Sequence, residues 1–160
     1  MGNNWKITDT LTKVFADEVP DGQGSIRLST LHRETVSCVI AYFGAADWGR
    51  YWKVSVKAPE KIETRLRRVE LVPSAYPCHK EQDDNYLRIV PGMYPDLLRD
   101  LDTEDDGADK KYLTKEVPGQ WRSLWLDVTV DAELAGGDYA IMIETETEDG
   151  EKETLKADLH

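Results

Sequence analysis

Histidine and cysteine are scarce in this chain, at three and two residues in 160. A structural zinc site draws four Cys or His ligands at defined spacing, and Cys38, Cys78, His32, His79 and His160 do not supply them. Two cysteines also fall short of a disulfide framework, which leaves Cys38 and Cys78 either paired or free. Cationic residues are outnumbered, 20 against 31 acidic, for a net charge of −11. A protein that grips phosphate backbones needs a cationic footprint, so no nucleic-acid partner is expected. No apolar run approaches the ~18 residues that a membrane-crossing helix needs, and no membrane partner is expected. Met1 to Lys6 lacks the apolar core of a secretion signal, which leaves a cytoplasmic location and export with a removed leader both open. No repeat of fixed period is visible, and no cofactor is expected.

What the chain does have is alternation. Trp121 to Val130 places Leu124, Leu126, Val128 and Val130 on one face and Trp121, Ser123, Trp125, Asp127 and Thr129 on the other. Period two with one apolar face marks a strand against a core. Gly136-Gly137 breaks the pattern, and Tyr139, Ile141 and Ile143 restart it. Gly137-Asp138-Tyr139 ahead of a strand has the form of a tyrosine corner, in which the hydroxyl bonds back to upstream backbone.

The remaining chain reads the same way. Trp5 to Phe15 is rich in β-formers, with Ile7, Leu11 and Phe15 expected inward. Ser25 to Leu31, the apolar run Thr35 to Phe43, and Tyr51 to Lys57 with Trp52, Val54 and Val56 together are three further strands. Ile62 to Val72 is another, with one slip of phase that fits a bulge. Asp149-Gly150 signals a hairpin before a last strand, Glu153 to Leu159, with Leu155, Ala157 and Leu159 on one side. Residues 73–116 differ. Four prolines and an acidic tract read as a long inserted loop, strand-like only at Tyr86 to Val90 and Tyr112 to Val117, with one helical turn over Pro95 to Leu101. Its apolar part is expected to pack on a sheet edge or to face a second domain, and Asp100 to Asp109 to stay solvated.

A chain of 160 residues suits one domain, which at this size buries roughly 70% of its unfolded surface and needs no metal or disulfide. Eight or nine short strands with frequent turns predict an all-β, immunoglobulin-like sandwich of two antiparallel sheets over residues 1–160.

Several stretches stand in a familiar order: Lys13-Val14-Phe15, the Ile26/Leu28 strand leading to Glu34 and Ser37, Tyr94-Pro95-Asp96-Leu97-Leu98, Trp125, and Gly137-Asp138-Tyr139. Together they resemble the N-terminal β-sandwich domain of glycoside hydrolase family 123, over roughly residues 5 to 159. Relatives often carry an aromatic–Gln pair near Ser37-Cys38, and this chain has none. The resemblance implies an accessory sandwich ahead of a (β/α) barrel that removes N-acetylgalactosamine with an adjacent Asp-Glu pair and the substrate's own acetamido group. Such a barrel needs about 250 residues, so it lies outside this sequence, and Leu159-His160 is expected to be a domain boundary. The implied partner is the catalytic domain of the same polypeptide.

Candidate chemistry within the chain is thin. Asp17-Glu18 is an adjacent carboxylate pair, and glycosidases use two carboxyl groups, but it lies in a turn with nothing nearby to raise one pKa. Asp102 to Gly107 imitates the start of a calcium loop, but position twelve is Leu113 where a bidentate Glu belongs. No catalytic residue and no metal ligand is expected. Trp48, Tyr51 and Trp52 crowd one turn and strand, and aromatic rings can stack on sugars or anchor an interface. Trp125, pointing away from the leucine face, is expected to pack in a core, touch a neighbouring domain or stack on sugar. Three functions follow: a non-catalytic accessory domain, a carbohydrate-binding module using Trp48, Tyr51 and Trp52, or a free-standing interaction domain.

Overall fold

The computed structural model describes residues 4–46, 49–78, 86–105 and 110–160. Among the described residues there are eleven strands: β1 (Trp5–Thr8), β2 (Ser25–Leu28), β3 (Thr35–Phe43), β4 (Tyr51–Lys57), β5 (Ile62–Ser74), β6 (Gly92–Asp100), β7 (Thr103–Asp105), β8 (Lys110–Lys115), β9 (Trp121–Val130), β10 (Tyr139–Thr147) and β11 (Lys152–Leu159). They form two sheets, ordered β1-β3-β9-β5-β6 and β2-β11-β10-β4-β8-β7. This is the expected all-β, immunoglobulin-like two-sheet sandwich. All pairings between strands are antiparallel except β2 with β11, which is parallel.

The core lies between the sheets. Leu124, Leu126 and Val128 are fully buried, facing Val54, Ile141, Ile143 and Leu155 of the second sheet. At one end Trp5 stacks on Tyr42 at 4.8 Å between centroids and meets Trp52 edge-on at 5.2 Å. Aromatic pairs in these geometries add to the burial of their large area.

The outer face of the first sheet is also partly closed. Residues 9–24 leave β1, cross that face and return to it. Trp121 N–H donates to the Ala16 carbonyl at 2.9 Å, and Ile7 and Gln23 then exchange two backbone hydrogen bonds. Val14 is thereby buried with Val39, Ala41 and Trp121. This explains the unbroken apolar run in β3: Cys38, Ile40 and Tyr42 face the main core, and Val39 and Ala41 the outer cluster. A strand covered on both faces has no reason to alternate.

Several expectations are corrected. The first strand ends at Thr8, because Asp9 Oδ1 accepts from Leu11 N–H and Thr12 N–H and turns the chain there. Leu11 is therefore 85% exposed instead of inward. Residues 73–116, read as an inserted loop, carry the end of β5 and all of β6, β7 and β8. Pro95 to Leu101 forms no helical turn, since Pro95 to Asp100 lie in β6, an edge strand, where a missing backbone N–H is tolerated. Tyr86 to Val90 is irregular and not a strand. The phase slip in β5 is a shift of register between Glu70 and Leu71. The Tyr139 hydroxyl donates to the Ala135 carbonyl at 2.7 Å, which is the bond of a tyrosine corner.

Candidate functional site

The most elaborate surface lies at the end of the first sheet where β5 and β6 meet residues 15–18 and 86–91. Arg88 organises it. Its Nη2 donates to Asp17 Oδ1 at 2.8 Å and also to Glu18 Oε1. Its guanidinium lies 3.9 Å from the centre of the Phe15 ring, a cation–π arrangement. The Arg88 side chain is only 12% exposed, although both carboxylates are mostly in water. Phe15 meets Tyr94 edge-on at 5.7 Å, and the Tyr94 hydroxyl donates to the carbonyls of Arg88 and Val90. Residues 86–91 are thus a strap held to the sandwich by one arginine and one tyrosine.

A cleft opens on each side of the strap. One, about 580 Å³, is walled by Phe15, Tyr86, Tyr94, Pro73 and Pro77. The other, about 650 Å³, is lined by Leu87, Ile89, Val90 and Met93 with Asp17 and Glu18. Along this edge Val72, Tyr76, Tyr86, Leu87, Ile89, Val90, Met93 and Leu97 are each at least 36% exposed.

The Asp17-Glu18 pair anchors Arg88. The hydrogen bond from Arg88 holds the Asp17 carboxyl below the usual range. A general acid needs the opposite shift.

The four aromatics singled out in the sequence are not brought together. Trp48 lies outside the described residues. Tyr51 is half exposed, with Lys115 Nζ 5.1 Å from its ring centre. Trp52 corrects the sugar-platform expectation: it is 1% exposed, because it faces the core side of β4, opposite Tyr51. Its Nε1–H donates to Glu116 Oε1 at 2.7 Å, and Arg50 also pairs with that buried carboxylate, at 3.4 Å. Trp125 belongs to the other sheet. It packs half-buried on the outer cluster and donates Nε1–H to Asp127 Oδ1 at 2.8 Å.

Asp127 was missed in the sequence. It accepts from Ser37 Oγ at 2.7 Å, from Trp125, and from Arg67 Nη2 at 2.5 Å. A polar residue two places after a tryptophan on the outward face was the only signal. Arg88 gave none, since its partners lie 71 and 70 residues away.

Cys38 and Cys78 are both free. Burial and the nearby Asp127 charge push the Cys38 thiol up to about 12, so it stays protonated and unreactive. The calcium-like tract lies partly outside the described residues; Thr103–Asp105 form β7. Among the described residues no group of three His, Cys, Asp or Glu is placed to hold a metal.

This geometry defines a two-sheet β-sandwich with an apolar edge. Solved structures are similar to this chain to different degrees. A family 123 glycoside hydrolase from Clostridium perfringens, whose study concerns glycolipid glycan hydrolysis, superposes with a TM-score of 0.64 at 9% identity. The match covers 97% of this chain and 26% of that one, so the chain spans about a quarter of the enzyme's length. The major pilin SpaD of Corynebacterium diphtheriae reaches a TM-score of 0.47 at 10% identity, over 96% of this chain and 34% of the pilin. A collagen-binding subdomain from an Enterococcus faecalis surface protein reaches 0.45 at 5% identity, over 84% and 92%. No family model and no curated protein matches the sequence.

Proposed function

We propose that this chain is a non-catalytic accessory domain of a glycoside-hydrolase-like protein, and that it packs on a catalytic (β/α) barrel. The observation that carries this reading is the apolar edge formed by β6 and the strap. Six large apolar side chains, Tyr86, Leu87, Ile89, Val90, Met93 and Leu97, stand exposed there, with Asp17, Glu18, Asp96 and Lys13 nearby. Such a patch with a polar rim is what a domain interface requires. The shared fold with part of a family 123 glycoside hydrolase supports the same assignment at the level of architecture.

The second reading, a carbohydrate-binding module working through Trp48, Tyr51 and Trp52, loses Trp52 to the core. A free-standing interaction domain would use the same apolar edge.

The test is association in trans. The reading frame that flanks this sequence is expressed as a separate polypeptide and titrated into the 160-residue chain by calorimetry. Saturable binding that is weakened by Leu87→Asp or Ile89→Asp is expected. A flanking frame without a barrel, or binding indifferent to both changes, would overturn the proposal. Glycan binding by the isolated chain would transfer the assignment to the carbohydrate-binding reading.

A further inference from the structure

One end of the first sheet's inner face is strongly cationic, in a protein whose net charge is −11. Arg122 of β9 pairs with Tyr42 of β3, on the same side as the core residue Leu124. Arg68 of β5 pairs with Leu124 on one side and with Arg99 of β6 on the other. Val69 pairs with Ser123, so Glu70 follows alongside Arg122. Three arginines and one carboxylate thus share a corner of a single sheet face.

The corner is not charge-balanced. Glu70 Oε1 accepts from Arg68 Nε at 2.8 Å and Nη2 at 2.6 Å, and Arg99 Nε stands 3.8 Å from the same oxygen. Glu70 is thus taken by Arg68, with Arg99 at the margin. Arg122 has no acceptor among the described residues, and its Nε is buried without a hydrogen bond. Arg67 Nε is buried in the same condition, but Arg67 Nη2 is anchored on Asp127. A buried donor with no partner costs free energy and calls for an explanation, an absent ion or water among them. Three positive charges against one negative leave two in excess. Arg68, Glu70 and Arg99 are 33%, 24% and 62% exposed, so the corner is open to solvent. The field reaches inward as well: the Tyr42 hydroxyl pKa is raised, chiefly by burial, with its bond to Thr114 and the charges of Arg122 and Arg68 opposing the rise and Glu70 adding to it.

We infer that Arg68, Arg99 and Arg122 form a binding site for a doubly charged oxyanion of the sulfate or phosphate class, either free or as an ester on a sugar. Guanidinium groups offer forked N–H donors that match tetrahedral oxyanions, and two negative charges neutralise the excess. The inference is independent of any docked domain and is tested on the chain alone.

The probe is sodium sulfate, titrated while the Nε–Hε resonances of the arginines are followed by NMR, with sodium chloride at matched ionic strength as reference. A saturable shift of the Arg122 resonance with sulfate only is expected. Arg99→Gln, at an exposed position, should weaken binding about tenfold or more, as loss of a charged hydrogen-bond donor does. Arg122→Gln should do the same, and Arg27→Gln, on the other sheet, should change nothing. A sulfated monosaccharide run in parallel separates the two sources: tighter binding than sulfate assigns the ester, equal binding the free ion. If chloride reproduces the shift, or if Arg99→Gln titrates like the parent, the corner is only a diffuse positive field and the site does not exist.

Discussion

Replacing Asp127 by asparagine probes how the outer face of the first sheet is held. The carboxylate accepts from Ser37, Trp125 and Arg67, so β3, β5 and β9 are tied together at one point. The Arg67 and Asp127 side chains are 22% and 17% exposed, which sets this pair apart from an ordinary surface ion pair worth at most about 1 kcal/mol. Asparagine keeps the shape and one acceptor oxygen but removes the charge facing Arg67. A hydrogen bond to a charged group contributes roughly 1.5–3 kcal/mol, and residual solvation reduces it, so the expected loss at neutral pH is about 1–3 kcal/mol. Alanine, which abandons all three donors, should cost about 2–4 kcal/mol.

The pH dependence is the sharper measurement. Burial raises the Asp127 pKa, but the hydrogen bonds from Ser37, Trp125 and Arg67, with the Arg67 charge, outweigh it, and the net shift is downward from 3.8. A carboxyl whose folded pKa lies below its unfolded value stabilises the fold above the unfolded value and loses that contribution as pH falls through the folded one. Urea denaturation followed by circular dichroism should therefore show a constant gap between parent and Asp127→Asn near neutrality. Below about pH 4 the gap should close. A gap that persists unchanged into acid, or one of only a few tenths of a kcal/mol at pH 7, would refute the electrostatic account and leave Asp127 as a shape-filling residue.

Two further outcomes are expected. At Gly44 an added Cβ would lie 2.1 Å from the Val117 carbonyl oxygen, so Gly44→Ala should destabilise by about 3 kcal/mol or more, whereas Gly92→Ala, with nothing within 4 Å, should stay within about 0.5 kcal/mol; equal effects in urea denaturation would contradict the close approach. Arg88→Gln should raise hydrogen exchange across residues 86–91 at least tenfold without altering β9, and unchanged protection of those residues would show that the strap is not held by its arginine.

The sequence displays its fold wherever the two faces of a strand differ in polarity. Trp121–Val130 and Tyr51–Lys57 alternate because each packs one side on the core, and both were legible to the residue. Strand β6 was not. Pro95, the register shift at Glu70/Leu71 and an exposed edge position remove the alternation that marks a strand. Leu11 was misplaced because an aspartate turn, a local hydrogen-bonding choice, overrode a run of β-formers. Trp52 shares one face of its strand with Val54 and Val56, so the alternation itself implies burial and excludes a surface platform. Arg88 and Glu116 were illegible for a different reason. Their roles depend on partners some 70 and 64 residues distant, and no local pattern encodes such a pairing.

The location of the apolar edge follows from how the other surfaces are already satisfied. The outer face of the first sheet is covered at one end by residues 9–24, and at the other it holds the hydrogen-bond set of Asp127 and the hydroxyl pair Thr35–Thr129 at 2.8 Å. The outer face of the second sheet is a ladder of opposite charges: Lys57 with Glu144, Lys152 with Glu146, Lys156 with Asp158. Such pairs are content in water and gain little from being covered, because desolvation offsets the Coulomb attraction. The β6 edge is the reverse case. Covering Leu87, Ile89, Val90 and Met93 would remove apolar area from water at about 25 cal/mol per Å². Proline and acidic residues on β6 oppose strand-to-strand addition there, so the proposed contact would be made by side-chain docking. A partner that instead buried the charged ladder, with the strap still exposed to solvent exchange, would run against this balance and reassign the interface to the second sheet.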